Sequence, residues 1–316
     1  MTENAYTWKR DSFLSADGIH SVATYRMEPQ ETPRAIVQLC HGMCEHMGRY
    51  EEFAAYLCRH GFAVGGHDHL GHGHTARSAE ELGYTAKKDG VDRMLQDLHT
   101  MTDVLRRGRE EIPVILFGHS MGSFFVRLYL ATYPHDVNAA VICGTAGPEA
   151  PAGMGRVLAS MNAAIFGEYN RSTFLYGLSV GAYEKKFPKG SPKHLWISGD
   201  ARVREAYAAD PFCSFRFTAR AYHDLFDVLN RVSKKSWAGK LSRELPTLLV
   251  AGEQDPVGNF GKGVRTVYRR MQEAGMRHLT LRLYAGDHHE ILNERDREQV
   301  YADLLAWMTA CTLGGN

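Results

Sequence analysis

The chain has 316 residues, 44% hydrophobic and 23% charged, enough for one large globular α/β domain with an insertion. A formal net charge of +1, with no basic run interleaved with aromatics, gives no bulk electrostatic drive toward nucleic acid or membrane, and no nucleic-acid partner is expected. The first residues carry no signal-peptide pattern and no apolar stretch is long enough to span a bilayer, so a cytoplasmic location is expected. In that compartment the six cysteines (Cys40, Cys44, Cys58, Cys143, Cys213 and Cys311), none in CxxC spacing, are expected to be reduced and mostly buried thiols.

In chain order, residues 13–20 read as a hairpin turning at Asp17-Gly18, with alternating strands on either side. A buried strand at 35–40 ends at His41-Gly42-Met43. The helix beginning near Arg49 puts Tyr50, Phe53, Ala54 and Leu57 on one face and stops at Gly61. A strand at 62–66 leads into the histidine-rich loop His67-Asp68-His69-Leu70-Gly71-His72-Gly73-His74. An amphipathic helix spans 91–105, with Leu95, Leu98 and Met101 on its core side. A strand from Val114 and a helix at 123–133 flank Gly118-His119-Ser120-Met121-Gly122, and a further strand follows at 139–143. Strands alternating with helices predict a mostly parallel, doubly wound sheet covered on both faces. From 148 to 237 the rhythm breaks into short helices rich in Phe, Tyr, Met and Gly. It resumes with a strand at 247–251, a helix at 264–271, a strand at 279–284 and a last helix at 297–311. The expected organisation is an α/β core of residues 1–147 and 238–316, with 148–237 inserted after about the sixth strand as a helical cap over the catalytic edge.

Gly-x-Ser-x-Gly alone is a weak pattern. Between a strand and a helix it reads as a nucleophile elbow, with glycines at 118 and 122 because the turn has no room for a Cβ there. Ser120 is then the candidate nucleophile, and a hydroxyl needs a base, an orienting acid and an oxyanion site to react. The acid belongs at the end of a late strand. Asp255 in Gly252-Glu253-Gln254-Asp255-Pro256 is preferred, with Glu253 the weaker candidate. The base belongs after the last strand, where His288 and His289 are adjacent and spacing does not separate them. The backbone N–H groups of Met121, after the nucleophile, and Met43, in the turn after the third strand, are the expected oxyanion donors.

Four stretches together, His41-Gly42-Met43-Cys44-Glu45-His46-Met47-Gly48-Arg49-Tyr50, Asp68-His69-Leu70-Gly71-His72-Gly73, Gly118-His119-Ser120-Met121-Gly122 and His289-Glu290-Ile291-Leu292-Asn293-Glu294, resemble the monoacylglycerol lipase and lysophospholipase branch of the α/β-hydrolases, often grouped with the serine aminopeptidases. The similarity runs over nearly the whole chain. It selects His289 as the base, because the family's base precedes a glutamate. It implies a serine hydrolase of apolar acyl esters that needs no cofactor. The expected partners are a small acyl ester and, transiently, a lipid surface; oligomeric state stays open.

His67, His69, His72 and His74 have spacings that could chelate a metal. The resemblance makes their loop structural instead, and no metal site is expected. His119, Phe166, Phe174 and Tyr183 are candidate substrate contacts, the aromatics belonging to a cap group that also includes Tyr169, Leu175, Tyr176 and Leu178. The alternative activity is a serine aminopeptidase or amidase with the same triad. It needs a cap carboxylate for the substrate's α-amino group, for which Glu149, Glu168, Glu184 and Glu205 are available, against a basic balance in that segment. A catalytically silent binding protein would have lost a triad member, and all three are present.

Overall fold

Asp17 accepts the main-chain N–H groups of Ile19 and His20 at 2.8 and 2.9 Å, and Gly18 takes φ +73°. This turn folds β1 (Lys9–Leu14) back along β2 (Ser21–Met27) as an antiparallel pair. The computed structural model describes residues 6–148 and 152–313. In it the hairpin forms one edge of an eight-stranded sheet in the order β1-β2-β4-β3-β5-β6-β7-β8. The remaining strands are β3 (Ala35–Cys40), β4 (Phe62–His67), β5 (Val114–His119), β6 (Ala139–Cys143), β7 (Thr247–Gly252) and β8 (Leu279–Tyr284), with every pairing from β4 to β8 parallel. From β3 to β7 every residue is buried, as parallel strands sandwiched between helices must be.

Helices α1 (Glu51–Arg59) and α10 (Arg297–Leu313) cover one face, placing Phe53, Leu57, Leu304 and Met308 over Val37 and Phe117. The other face is covered by α2 (Gly90–Arg106), α3 (Met121–Thr132) and α9 (Lys262–Glu273), carrying Leu98, Phe125 and Val267. Between β6 and β7 lie α4 (Ala152–Phe166), α5 (Thr173–Leu178), α6 (Val180–Glu184), α7 (Ala201–Ala209) and α8 (Ala219–Ser233). The last of these packs on α2 and α3 as well as on α4. None of the described helices is long and apolar enough to cross a membrane.

A fully buried arginine joins these layers. Arg127 on α3 donates to the carbonyls of Ala146 and Val232 at 3.0 and 2.7 Å and lies 4.5 Å from the Trp237 ring centre. With no carboxylate beside it, burial pushes its pKa down to about 9. The α3 helix starts at Met121, two residues before the helical spacing suggests, because the Ser120 turn leads into it without a linker.

The strand order reverses between β3 and β5: β3 is followed on one side by β4, β5 on the other by β6. A crevice outside the carboxyl ends of the strands forms at such a point. The His41-Gly42-Met43 turn and Ser120 both leave the sheet there.

Candidate active site

Ser120 sits between β5 and α3 with φ 53° and ψ −120°, a conformation an L-residue occupies only when its surroundings impose it. Crowding imposes it here. A Cβ on Gly118 would lie 2.5 Å from the Gly122 carbonyl oxygen. One on Gly122 would overlap the Cys40 carbonyl and stand 2.6 Å from that of His41. Main-chain bonds hold the turn: Ser120 N–H donates to Cys143 O at 3.0 Å, and the Ser123 hydroxyl donates to Ser120 O at 2.6 Å.

Asp255 is completely buried behind the end of β7. Its Oδ1 accepts the Val257 N–H at 2.8 Å and its Oδ2 lies 2.9 Å from Nδ1 of His289. Glu253 points to a half-exposed position within 4.0 Å of Arg265, away from the histidine. The neighbouring His288 turns the other way, its Nδ1 and its N–H both 3.0 Å from Glu294. The two candidate pairs left by spacing are thus separated by geometry: Asp255 meets His289, and Glu253 and His288 do not. The His289 loop is held to the insertion by His289 N–H to Trp196 O and Glu290 N–H to Ile197 O, at 3.1 and 2.8 Å.

With Nδ1 committed to Asp255, the Nε2 of His289 is buried and without a hydrogen-bond partner. Ser120 and His289 line the same cavity of about 270 Å³, but no bond joins them in this structure. Such a bond is commonly long before substrate arrives. Met43 and Met121 line the cavity too. Met121 opens α3, so its N–H has no intrahelical acceptor.

The orientation of the Met43 N–H comes from the histidine-rich loop. His69 N–H donates to His41 Nε2 at 3.0 Å, which leaves the proton on Nδ1, and Nδ1–H donates to Gly42 O at 2.8 Å. A trans peptide whose carbonyl is drawn toward His41 turns its N–H, that of Met43, to the opposite side. His41, His67, His69 and His72 are buried, and burial first, then their mutual repulsion where they crowd, holds the ring pKa values low, about 3 for His67 and about 4 for His72. They are neutral scaffold. Asp68 works alongside them, accepting from Met47 N–H, Tyr25 hydroxyl and His74 N–H at 2.8 Å each. Among the described residues the group whose ligand atoms converge enough for a metal is His46, Asp210 and Cys213. His46 Nδ1 accepts the Gly48 N–H, which places the ring proton on Nε2, 2.9 Å from Asp210. That geometry is a polar latch between the loop after β3 and the segment after α7.

Of the candidate substrate contacts, His119 and Tyr183 line the cavity. Phe166 and Phe174 do not: they are 67% and 58% exposed. The α4 helix buries its small residues Ala152, Gly155 and Ala159, and Gly155 sits directly against the Phe226 ring of α8. Its last turn leaves Phe166 in solvent. On α5 only Leu175 is buried, which puts Phe174 and Leu178 outside. The cavity wall comes instead from Tyr176, Trp196, Tyr207, Phe215 and Tyr222. Apart from Tyr176, these residues sit in segments whose apolar spacing carries no mark of the cavity. Of the cap glutamates, Glu168 accepts the Tyr84 hydroxyl at 3.0 Å, Glu184 lies 3.8 Å from His194, Glu205 is exposed and Glu149 falls outside the described residues. None of the described three lines the cavity.

A strained serine at a strand-to-helix turn, with a histidine–aspartate pair at the ends of later strands of a doubly wound sheet, defines an α/β-hydrolase. Within that class the chain belongs to the family described as serine aminopeptidase, S33, whose profile matches residues 31–296. It is 27% identical over 308 residues to the monoacylglycerol lipase of Mycolicibacterium smegmatis, covering 96% of this chain and 98% of that protein. It is 26% identical over 312 residues to the monoglyceride lipase of Homo sapiens, covering 95% and 90% respectively. A thermostable carboxyl esterase from Bacillus coagulans, solved in complex with glycerol, superposes with a TM-score of 0.89 at 29% identity, over 97% of this chain and 99% of that one. These relatives place the chain among the carboxylic-ester hydrolases.

Proposed function

We propose that the chain hydrolyses carboxylic esters of apolar acyl groups, with monoacylglycerols or lysophospholipids as the substrate class, through an acyl-enzyme on Ser120. The Asp255–His289 bond carries this reading, because it leaves the imidazole's other nitrogen free in the cavity that Ser120 lines. His289 Nε2 takes the Ser120 proton as Oγ attacks the ester carbonyl, then returns it to the leaving alkoxide. Water reverses the sequence to release the acid. The oxyanion is held by the N–H groups of Met43 and Met121, each such donor contributing about 3 kcal/mol in comparable sites. The cavity's aromatic and aliphatic lining suits an acyl chain, and relatives named monoacylglycerol lipase support the substrate class.

Among the described residues the cavity offers the amidase reading no free carboxylate. The acidic residues that line the cavity among those described, Glu45 and Glu290, are both paired with Arg49. In a side-by-side assay, p-nitrophenyl acyl esters should turn over and aminoacyl p-nitroanilides should not. Faster turnover of the anilides would reverse the assignment.

The outer face of α4 presents Met154, Val157, Met161 and Ile165 at spacings of three and four, all more than half exposed, and Phe166, Phe174 and Leu178 extend the apolar surface. We assign this face to transient contact with a lipid surface, from which a sparingly soluble ester is drawn. Ile165→Asp should slow hydrolysis of monoacylglycerol presented in vesicles and spare a water-soluble short-chain ester. Equal losses on both, or none on either, would remove the lipid contact. All six cysteines are free thiols, which supports placing the protein in the reducing cytoplasm.

A further inference from the structure

We propose that His119 is held by Glu45 as an imidazolium and acts as a positioning residue whose fixed charge stands beside the base. The proposal rests on the Ser120–His289 reading and concerns a group that reading does not use. The His119 side chain is buried between two acceptors. Nδ1 lies 3.0 Å from Glu45 Oε1, and Nε2 lies 3.2 Å from the main-chain oxygen of His289. A neutral imidazole has one N–H and would leave its other nitrogen's lone pair facing an oxygen. Only the doubly protonated ring donates to both.

The Glu45 carboxylate is built to stay ionised. Besides His119 it accepts the Gly42 N–H and the Tyr50 hydroxyl, the latter at 3.0 Å, and Arg49 Nη1 lies 3.3 Å from its second oxygen. Arg49 in turn makes a bidentate pair with Glu290 at 2.6 and 2.7 Å. A closed circuit results: Glu45 to His119, to the His289 main chain, to Glu290, to Arg49 and back to Glu45. It joins the oxyanion turn, the residue before the nucleophile and the loop of the base. Burial by itself opposes a charged His119, but the hydrogen bond and charge of Glu45, with Glu290 beyond, outweigh it and raise the ring's pKa. Burial likewise opposes a charged Glu45, and His119 and Arg49 pull its pKa down.

With Glu45 and Glu290 negative and Arg49 and His119 positive, the circuit sums to zero; Tyr50 stays neutral, its pKa raised by burial and Glu45. The His119 and His289 ring centres are 4.7 Å apart, and Asp255 meets His289 through Nδ1. A fixed cation at that distance opposes a second proton on the base before substrate is attacked. Removing only the His119 charge leaves the circuit at −1 and favours that proton. The acid limb of kcat/KM then moves to higher pH.

Two measurements test this. In the wild type, nitrogen NMR of 15N-histidine-labelled protein should show both His119 nitrogens protonated at pH 7. In the pH profile of kcat/KM on a soluble ester, His119→Asn should move the acid limb up by about one unit. Glu45→Gln should move it less, since it releases the His119 proton together with its own charge and keeps the circuit at zero. A neutral His119 in the wild type overturns the proposal, and so does an unmoved or downward-shifted limb in a folded His119→Asn. If that variant does not fold, the wild-type spectrum decides. Fluorophosphonate labelling of Ser120 separates the two layers. An unlabelled wild type fails the triad reading, whereas a labelled enzyme with a neutral His119 fails this proposal alone.

Discussion

Asp255→Asn is expected to lower kcat/KM by about 10⁴-fold while the folded protein keeps a melting temperature near that of the wild type. The carboxylate has two acceptor roles, toward Val257 N–H at 2.8 Å and His289 Nδ1–H at 2.9 Å. Asparagine keeps the first through its amide oxygen. Its NH₂ group, directed at Nδ1, presents a donor where an acceptor stood. The imidazole answers by moving its proton to Nε2, and in that tautomer it can no longer take the proton of Ser120. Steady-state kinetics beside a thermal melt read the result. A loss under about tenfold in the folded variant would mean that Asp255 does not fix the tautomer.

The second large effect falls on folding. Gly122→Ala is expected to cost about 3 kcal/mol or more, or to yield no soluble protein, because overpacking against main chain cannot be relieved by a rotamer change. The added Cβ overlaps the Cys40 carbonyl oxygen and lies 2.6 Å from that of His41, so α3 must retreat from the end of β3 or the His41-Gly42-Met43 turn must move. Either shift also displaces Met121 from Met43. Gly239→Ala, where nothing lies within 4 Å of the new Cβ and φ is not positive, serves as the control and should melt near the wild type. Denaturant melts of the two variants decide, and a Gly122→Ala protein as stable as the control would show that the elbow has room to spare.

Local signals carried the strands and the elbow, and narrowed the acid to Asp255 and Glu253. Val114 to Gly118 is an apolar run ending in glycine, and the elbow needs small residues on both sides of the serine whatever the rest of the chain does. Asp255 is preferred over Glu253 within a loop that follows a buried strand, and the fold turns Asp255 rather than Glu253 to His289. His289 was not separable from His288 by spacing, since adjacent residues differ only in which way the folded loop turns them. The resemblance to known hydrolases selected it, and the 2.9 Å bond to Asp255 is the geometric counterpart. The cavity wall was poorly legible. Trp196, Phe215 and Tyr207 face it because of how the insertion packs, and no periodicity encodes that direction. Phe166 and Phe174 had the right chemistry and lie on the outside. The circuit of Glu45, Arg49 and Glu290 was also hidden: its halves are 241 positions apart, and charged residues at that separation carry no spacing signal. The histidine-rich loop invited a metal, whereas in the fold His69 and His41 set the orientation of a single peptide group.

The most direct test of the account is intact-mass analysis after treatment with a fluorophosphonate, on the wild type and on Ser120→Ala. The wild type should gain one adduct per chain and lose ester hydrolysis with it, and Ser120→Ala should gain none. A wild type that stays unlabelled, or an adduct that persists in Ser120→Ala, would contradict a nucleophile at residue 120.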